Sequence, residues 1–198
     1  LSDDVVLAFP KPILPLRHVR STLMLGGLET IKAHGLLEAY NAVSPPEVRE
    51  AIQSSVAGMW IPVDIAVAHY VACDGMGVSS EAAGKMGRST FKRTKGLLLG
   101  TATGLAKGVG VNPWTLLPHF QRFWLRGMDG GAVRVLRLGP KDARIDVVEC
   151  PLFKSKYFRE ACCGLAMSLC ELVCRKCYAH DLRARDPDTE LAFRAQWV

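Results

Sequence analysis

Cysteine and histidine are the residues of this chain with the greatest chemical reach. Cys163, Cys170, Cys174 and Cys177 recur at helical spacing and would share one face of a helix. Thiolates bind soft metals strongly, yet structural zinc sites gather their ligands from turns as paired Cys-x-x-Cys motifs. Cys174-Arg175-Lys176-Cys177 has no second pair. The expected role of these thiols is packing, as small core residues. His69 and Cys73 form an i,i+4 pair with Asp74 adjacent, but one helical turn supplies only two ligands, and a structural role is expected there too. No catalytic arrangement emerges. Gly104-Leu105-Ala106-Lys107-Gly108 lacks P-loop spacing, and Gly108-Val109-Gly110 runs into Asn112-Pro113 instead of completing a dinucleotide fingerprint. None of the five histidines stands in a recognisable catalytic setting, so the reading is not an enzyme.

The elements that position these residues divide the chain in two. The sequence 155–178 carries two adjacent apolar stripes, Cys163, Met167, Cys170, Cys174, Cys177 and Phe158, Cys162, Leu165, Leu169, Leu172. This predicts one long helix that must be covered on most sides. In 189–198, Leu191, Phe193, Ala195 and Trp197 alternate with polar residues, the period of a half-buried strand. Strands are also expected at 133–138 and 143–149, joined as a hairpin through Gly139-Pro140-Lys141-Asp142. Ahead of them the pattern is helical: 19–34, then a helix to about residue 56 opened by Ser44-Pro45-Pro46-Glu47 as a capping box, then 63 to Gly75 or Gly77, then one capped by Ser79 or Ser80. Gly58-Met59-Trp60-Ile61-Pro62 reads as a connector. The stretch 96–110 holds five glycines, each weakening a helix by about 1 kcal/mol relative to alanine. Asn112-Pro113 opens an aromatic helix with Trp114, Phe120, Phe123 and Trp124, ending at Gly127. Residues 1–16, with Pro10, Pro12 and Pro15, read as an extended arm packed on the surface or on a partner.

The fold class is therefore α+β: an N-terminal helical half packed on a C-terminal strand-strand-long helix-strand unit with an antiparallel sheet. The expected organisation is the arm at 1–16 and a single ligand-binding-type domain at 17–198, with its helical half at 17–128 and its sheet and long helix at 132–198. The 198 residues suffice for one core, and 49% hydrophobic with 22% charged residues is an ordinary globular composition. The net charge of +6 is scattered apart from Arg88, Lys92, Arg93 and Lys95, and no nucleic-acid-reading signature accompanies it. No apolar run is long enough for a transmembrane helix; the nearest, 96–106, is interrupted by Thr101 and Thr103 and flanked by Lys95 and Lys107. With no signal peptide read and the cysteines at core spacing, a reduced, cytoplasmic setting is expected.

The order of elements, with Trp60-Ile61-Pro62 opening one helix, Gly84-Lys85-Met86-Gly87-Arg88 in the next and Ala143-Arg144-Ile145-Asp146-Val147 in the hairpin, resembles a family. It is that of bacterial proteins, abundant in myxobacteria, related to the haem–nitric-oxide-binding domain. More broadly the chain is similar to the ligand-binding superfamily of nitric-oxide signalling and Golgi transport, which includes vinyl-reductase-like aromatic-sensing domains and Bet3 tethering subunits. The resemblance implies a buried pocket between the helical half and the sheet, filled by haem, an aromatic effector or an acyl chain in different relatives. It also implies a role for His119, in the stretch where haem-binding relatives place their iron ligand. Those relatives anchor the haem carboxylates with Tyr-x-Ser-x-Arg, whereas here the matching region reads Val147-Val148-Glu149-Cys150-Pro151-Leu152.

The resulting expectation is a non-enzymatic small-molecule-binding or sensory domain. Its apolar pocket is to be lined by Trp60, Trp114, His119, Phe120, Phe123, Trp124, Tyr157 and Met167. The alternatives are a haem-based sensor of diatomic gases through His119 and a dimerising scaffold protein of the Bet3 type. The cofactor is left open, haem lacking its anchor and zinc being disfavoured; no metal is expected, with His119, Cys170, Cys174 and Cys177 kept as candidate ligands. Expected partners are an apolar small molecule and a second copy in a homodimer, with neither nucleic acid nor membrane insertion.

Overall fold

The computed structural model describes residues 4–99, 111–182 and 184–198. In chain order, β1 (Asp4–Leu7) and β2 (His18–Arg20) precede α1 (Ser21–Ala33), α2 (Leu37–Val43) and α3 (Pro46–Gln53). There follow β3 (Trp60–Pro62), α4 (Val63–Asp74) and α5 (Ser80–Leu99). Next come α6 (Pro113–Leu116), a 3-10 turn at Leu117–His119, α7 (Phe120–Gly127) and β4 (Met128–Asp129). The C-terminal part comprises β5 (Ala132–Gly139), β6 (Asp142–Val148), a 3-10 turn at Pro151–Lys154, α8 (Lys156–Cys170), β7 (Cys177–Leu182) and β8 (Leu191–Trp197). Among the described residues, no helix is long and apolar enough to cross a membrane.

Two antiparallel sheets organise these elements, one of five strands in the order β1-β5-β6-β8-β7 and one of three in the order β3-β2-β4. Val133, Val135, Ile145, Val147, Leu191 and Phe193 point from the large sheet into the core. Helix α8 lies between that sheet and α5. Its start is doubly capped: the Ser155 hydroxyl accepts from the Phe158 N–H at 3.1 Å, while Asp74 at the end of α4 accepts from the Tyr157 N–H at 2.7 Å and the Lys156 N–H at 3.3 Å. Helices α5 and α8 meet backbone to backbone. A Cβ on Gly87 would sit 2.0 Å from the Ala161 carbonyl oxygen, and one on Gly164 would sit 2.0 Å from that of Gly84. Only glycine permits this approach.

The α+β class and the hairpin are as the sequence pattern predicts, and Asn112 caps α6 by accepting from the Trp114 N–H at 2.9 Å. Several elements differ. The long helix ends at Cys170, not at residue 178, because Cys177–Leu182 is taken up as β7 beside β8 and strand pairing wins over continuation of the helix. Cys174 and Cys177 therefore leave the helix. Ser44 does not open a capping box: it closes α2, its N–H bonding the Tyr40 carbonyl, and α3 starts from Pro45 with no side-chain cap and ends at Gln53, short of residue 56. The connector at 58–62 contains strand β3. The aromatic helix is broken into α6, the 3-10 turn and α7 around Pro118. The N-terminal arm lies on its own chain: β1 forms the edge of the large sheet, and the segment after it returns along the hairpin through Gly131 N–H to Leu14 C=O and Leu16 N–H to Glu149 C=O, at 2.8 and 2.9 Å. The glycine-rich stretch lies, from residue 100 onward, outside the described residues.

Candidate functional site

The helical half and the large sheet do not close on each other completely. Between them is a cavity of about 120 Å³, walled by α1 (Leu23, Gly27, Ile31), α4 (His69, Tyr70), α5 (Thr90, Leu98), α7 (Phe120, Phe123, Trp124), α8 (Tyr157 to Leu169 on one face) and inward residues of β5, β6 and β8. The local reason is visible in the wall: Gly27, Ala161 and Ala166 are small residues where large ones would fill the space. A Cβ added to Gly27 would meet nothing within 4 Å.

No described wall residue is charged. Its polar groups are few and mostly engaged. His69, 1% exposed, shares a 2.8 Å hydrogen bond between Nδ1 and the Tyr40 hydroxyl, and its Nε2 lies 4.0 Å from the Cys73 sulfur. Burial lowers its pKa to about 4, so it is a neutral imidazole. The Thr90 hydroxyl donates to Thr30 Oγ1 at 3.2 Å, and Trp124 Nε1 donates to the Gly130 carbonyl at 2.7 Å. Tyr157 is the exception, since among the described residues its buried hydroxyl reaches only the Met86 sulfur, at 4.0 Å. Cys162 is half-buried, and the protein around it pushes its thiol up to about 12; it stands in the cavity wall.

Of the eight residues expected to line a pocket, the structure brings Phe120, Phe123, Trp124 and Tyr157 together in this wall. The other four stand elsewhere. Trp60 alternates outward from β3 while Ile61 points in, and the Arg20 guanidinium stacks 3.8 Å from its ring. Trp114 ties α6 to the sheet through Nε1 to the Pro140 carbonyl at 2.7 Å and a T-shaped contact with Trp197 at 4.9 Å. His119 ends the 3-10 turn half-buried, its ring 6.5 Å from Phe123, and Met167 faces Arg88, whose Nη2 is 3.2 Å from its sulfur. Sequence reasoning missed the α1 wall and His69. Leu23-Gly27-Ile31 at i,i+4,i+8 is legible as an apolar face, but nothing in its spacing tells a cavity wall from a packed core.

Among the described residues, no group of three or more His, Cys, Asp and Glu side chains could hold a metal ion. Cys170 donates a thiol hydrogen bond to the Cys177 sulfur, which lowers the Cys177 pKa, while Cys174 donates to the Cys170 carbonyl at 3.3 Å. These three sulfurs bind the end of α8 to the start of β7. His119 stands well before them in the chain, at the end of the 3-10 turn between α6 and α7.

No family model matches the sequence. No curated protein matches it either. Solved structures do. A double mutant of the Tt H-NOX domain superposes with a TM-score of 0.60 at 12% identity, over 90% of this chain and 94% of that one. A structure described as modulating heme redox potential through protein-induced porphyrin distortion gives 0.58 at 12% identity over the same shares. An oxygen-binding H-NOX domain related to soluble guanylate cyclases, as its oxygen complex, gives 0.56 at 11% identity, again over 90% and 94%. At this identity the likeness is one of architecture: the chain has the fold of the H-NOX domains, as its order of elements led one to expect.

Proposed function

We propose that this protein is a non-enzymatic ligand-binding, sensor-type domain whose site is the central cavity and whose ligand is a small, neutral, largely apolar molecule. The observation that carries the reading is the cavity itself, about 120 Å³ of space with an uncharged wall at the junction of the two halves. Apolar cavities of about 150 Å³ stay dry and take up benzene or xenon, so this one is of the size for a single small ring or smaller. Its position supports a sensory role, because a ligand there touches α1, α4, α5, α7, α8 and the sheet at once and can shift how they pack.

Haem does not fit the residues present. Its two carboxylates would enter a wall with no described lysine or arginine, and burying unpaired charge costs several kcal/mol per ion. The one wall histidine, His69, directs Nδ1 to Tyr40 and Nε2 toward Cys73, and His119 is not in the wall. Gas sensing through a His119-bound haem is thus the weaker reading. The test is calorimetric titration with benzene. Wild-type protein is expected to bind it at a single site, and Gly27→Leu, which places an isobutyl group in the open space, is expected to abolish binding while the protein stays folded. Equal binding by the two proteins would refute the assignment, as would a stoichiometric Soret band on adding hemin that disappears in His119→Ala.

A further inference from the structure

A second hollow, of about 180 Å³, lies beside the cavity where the end of α4 meets the starts of α5 and α8. It is polar and open at its rim: Asp74 and Lys156 are exposed, and Ser80 and Glu160 half-buried. Among the described residues, Tyr157 alone belongs to the walls of both hollows. Its two ends are held very differently. The backbone is fixed, the Tyr157 N–H donating to Asp74 Oδ1 at 2.7 Å beside the Ser155 hydroxyl, which donates to the same oxygen at 3.1 Å. The phenol, 6% exposed, has only the thioether of Met86 at 4.0 Å, and a thioether sulfur is a weak acceptor.

A buried hydroxyl without a good acceptor forfeits hydration that it would regain in a wet cleft. Burial of the ring pulls the other way. With the backbone pinned, the two arrangements differ by rotation of one side chain between staggered rotamers. We propose that Tyr157 is the door of the cavity: closed, its ring separates the apolar interior from the polar cleft, and small molecules pass through the cleft when the ring swings outward. The door matters for function on the reading that the cavity is the ligand site, but it can be tested without any ligand.

Cys162, a half-buried residue of the cavity wall that the cleft does not share, is the reporter, while Cys150, 0% exposed and in neither wall, reports general loosening. The rate of labelling by methyl methanethiosulfonate, a small neutral thiol reagent, is followed for both cysteines by peptide mass spectrometry. Ser80→Trp, which plugs the cleft without touching the cavity, is expected to slow Cys162 about tenfold and leave Cys150 unchanged. Tyr157→Ala is expected to speed Cys162 about tenfold relative to Cys150. An unchanged Cys162 rate in Ser80→Trp, or parallel acceleration of both cysteines in Tyr157→Ala, overturns the proposal. Benzene separates the two readings. Association and dissociation slowed together in Ser80→Trp at constant affinity support door and site alike. Cys162 rates that respond while benzene fails to bind uphold the door and refute the site; benzene bound with unchanged exchange in Ser80→Trp refutes the door and upholds the site.

Discussion

Replacing Gly164 with alanine puts a methyl group where α8 touches the backbone of α5, and replacing Gly27 puts the same group into empty space. At Gly164 the new Cβ would stand 2.0 Å from the Gly84 carbonyl oxygen and 2.9 Å from its carbon, whereas ordinary contact begins at 3.4 Å. The neighbour is backbone, so no side-chain rotation relieves the clash, and the two helices must separate by about 1.4 Å along their crossing. Overpacking of this kind costs about 3 kcal/mol. Alanine returns about 1 kcal/mol of helix propensity, leaving a net loss of about 2 kcal/mol. For a chain of this length that lowers Tm by about 4–8 °C. At Gly27 nothing lies within 4 Å of the added Cβ, so the propensity gain stands alone and stability rises by about 0.5–1 kcal/mol. Urea unfolding reads both, provided the slope m is unchanged. The reasoning is refuted if Gly164→Ala is as stable as wild type, or if Gly27→Ala is less stable.

Three further outcomes follow from the same contacts. His69 is neutral in the fold with its pKa near 4, while the unfolded chain protonates near 6.5; stability is therefore complete above pH 6.5 and falls as pH drops toward 4, by about 3 kcal/mol. In His69→Gln this part of the slope should vanish from a pH series of urea titrations, whereas Asp129 and Asp142, held low by hydrogen bonds from His18 and Arg194, begin to act only below about pH 5. Asp74→Ala should cost about 1–2 kcal/mol by uncapping α8, and hydrogen exchange should show the loss first at the Tyr157 and Lys156 amides. Arg88 pairs with Glu171 across α5 and the end of α8; a double-mutant cycle to alanine should give a coupling of about 1 kcal/mol that shrinks in 1 M salt.

How much of this was legible beforehand depended on whether a local signal had a single structural meaning. The hairpin and β8 were legible because alternation of Ile145 and Val147, and of Leu191, Phe193, Ala195 and Trp197, fits only a half-buried strand. Asn112-Pro113 was legible as a cap for the same reason. β7 was hidden because Cys170, Cys174 and Cys177 also continue the helical stripe of α8, and only pairing of Cys177–Leu182 with β8 decides between the two. Ser44 misled because a capping box and the end of a preceding helix use the same residue, and a two-residue link to Pro46 leaves room for only one role. Within the site, the aromatic run pointed to Phe120, Phe123 and Trp124, which α7 aims inward. It pointed equally to Trp114, which the 3-10 turn redirects toward Pro140 and Trp197. The wall from α1 and His69 on α4 comes from distant parts of the chain, so no spacing could announce it. The cavity is a property of how small residues on α1 and α8 coincide in space.

The most direct test of the account is a crystal of this protein pressurised with xenon. The account predicts one well-occupied xenon position inside the protein, in contact with Leu23, Phe120 and Leu165, and its loss in Gly27→Leu. A wild-type crystal in which those side chains close the space and xenon is found nowhere between the helices and the sheet would contradict it.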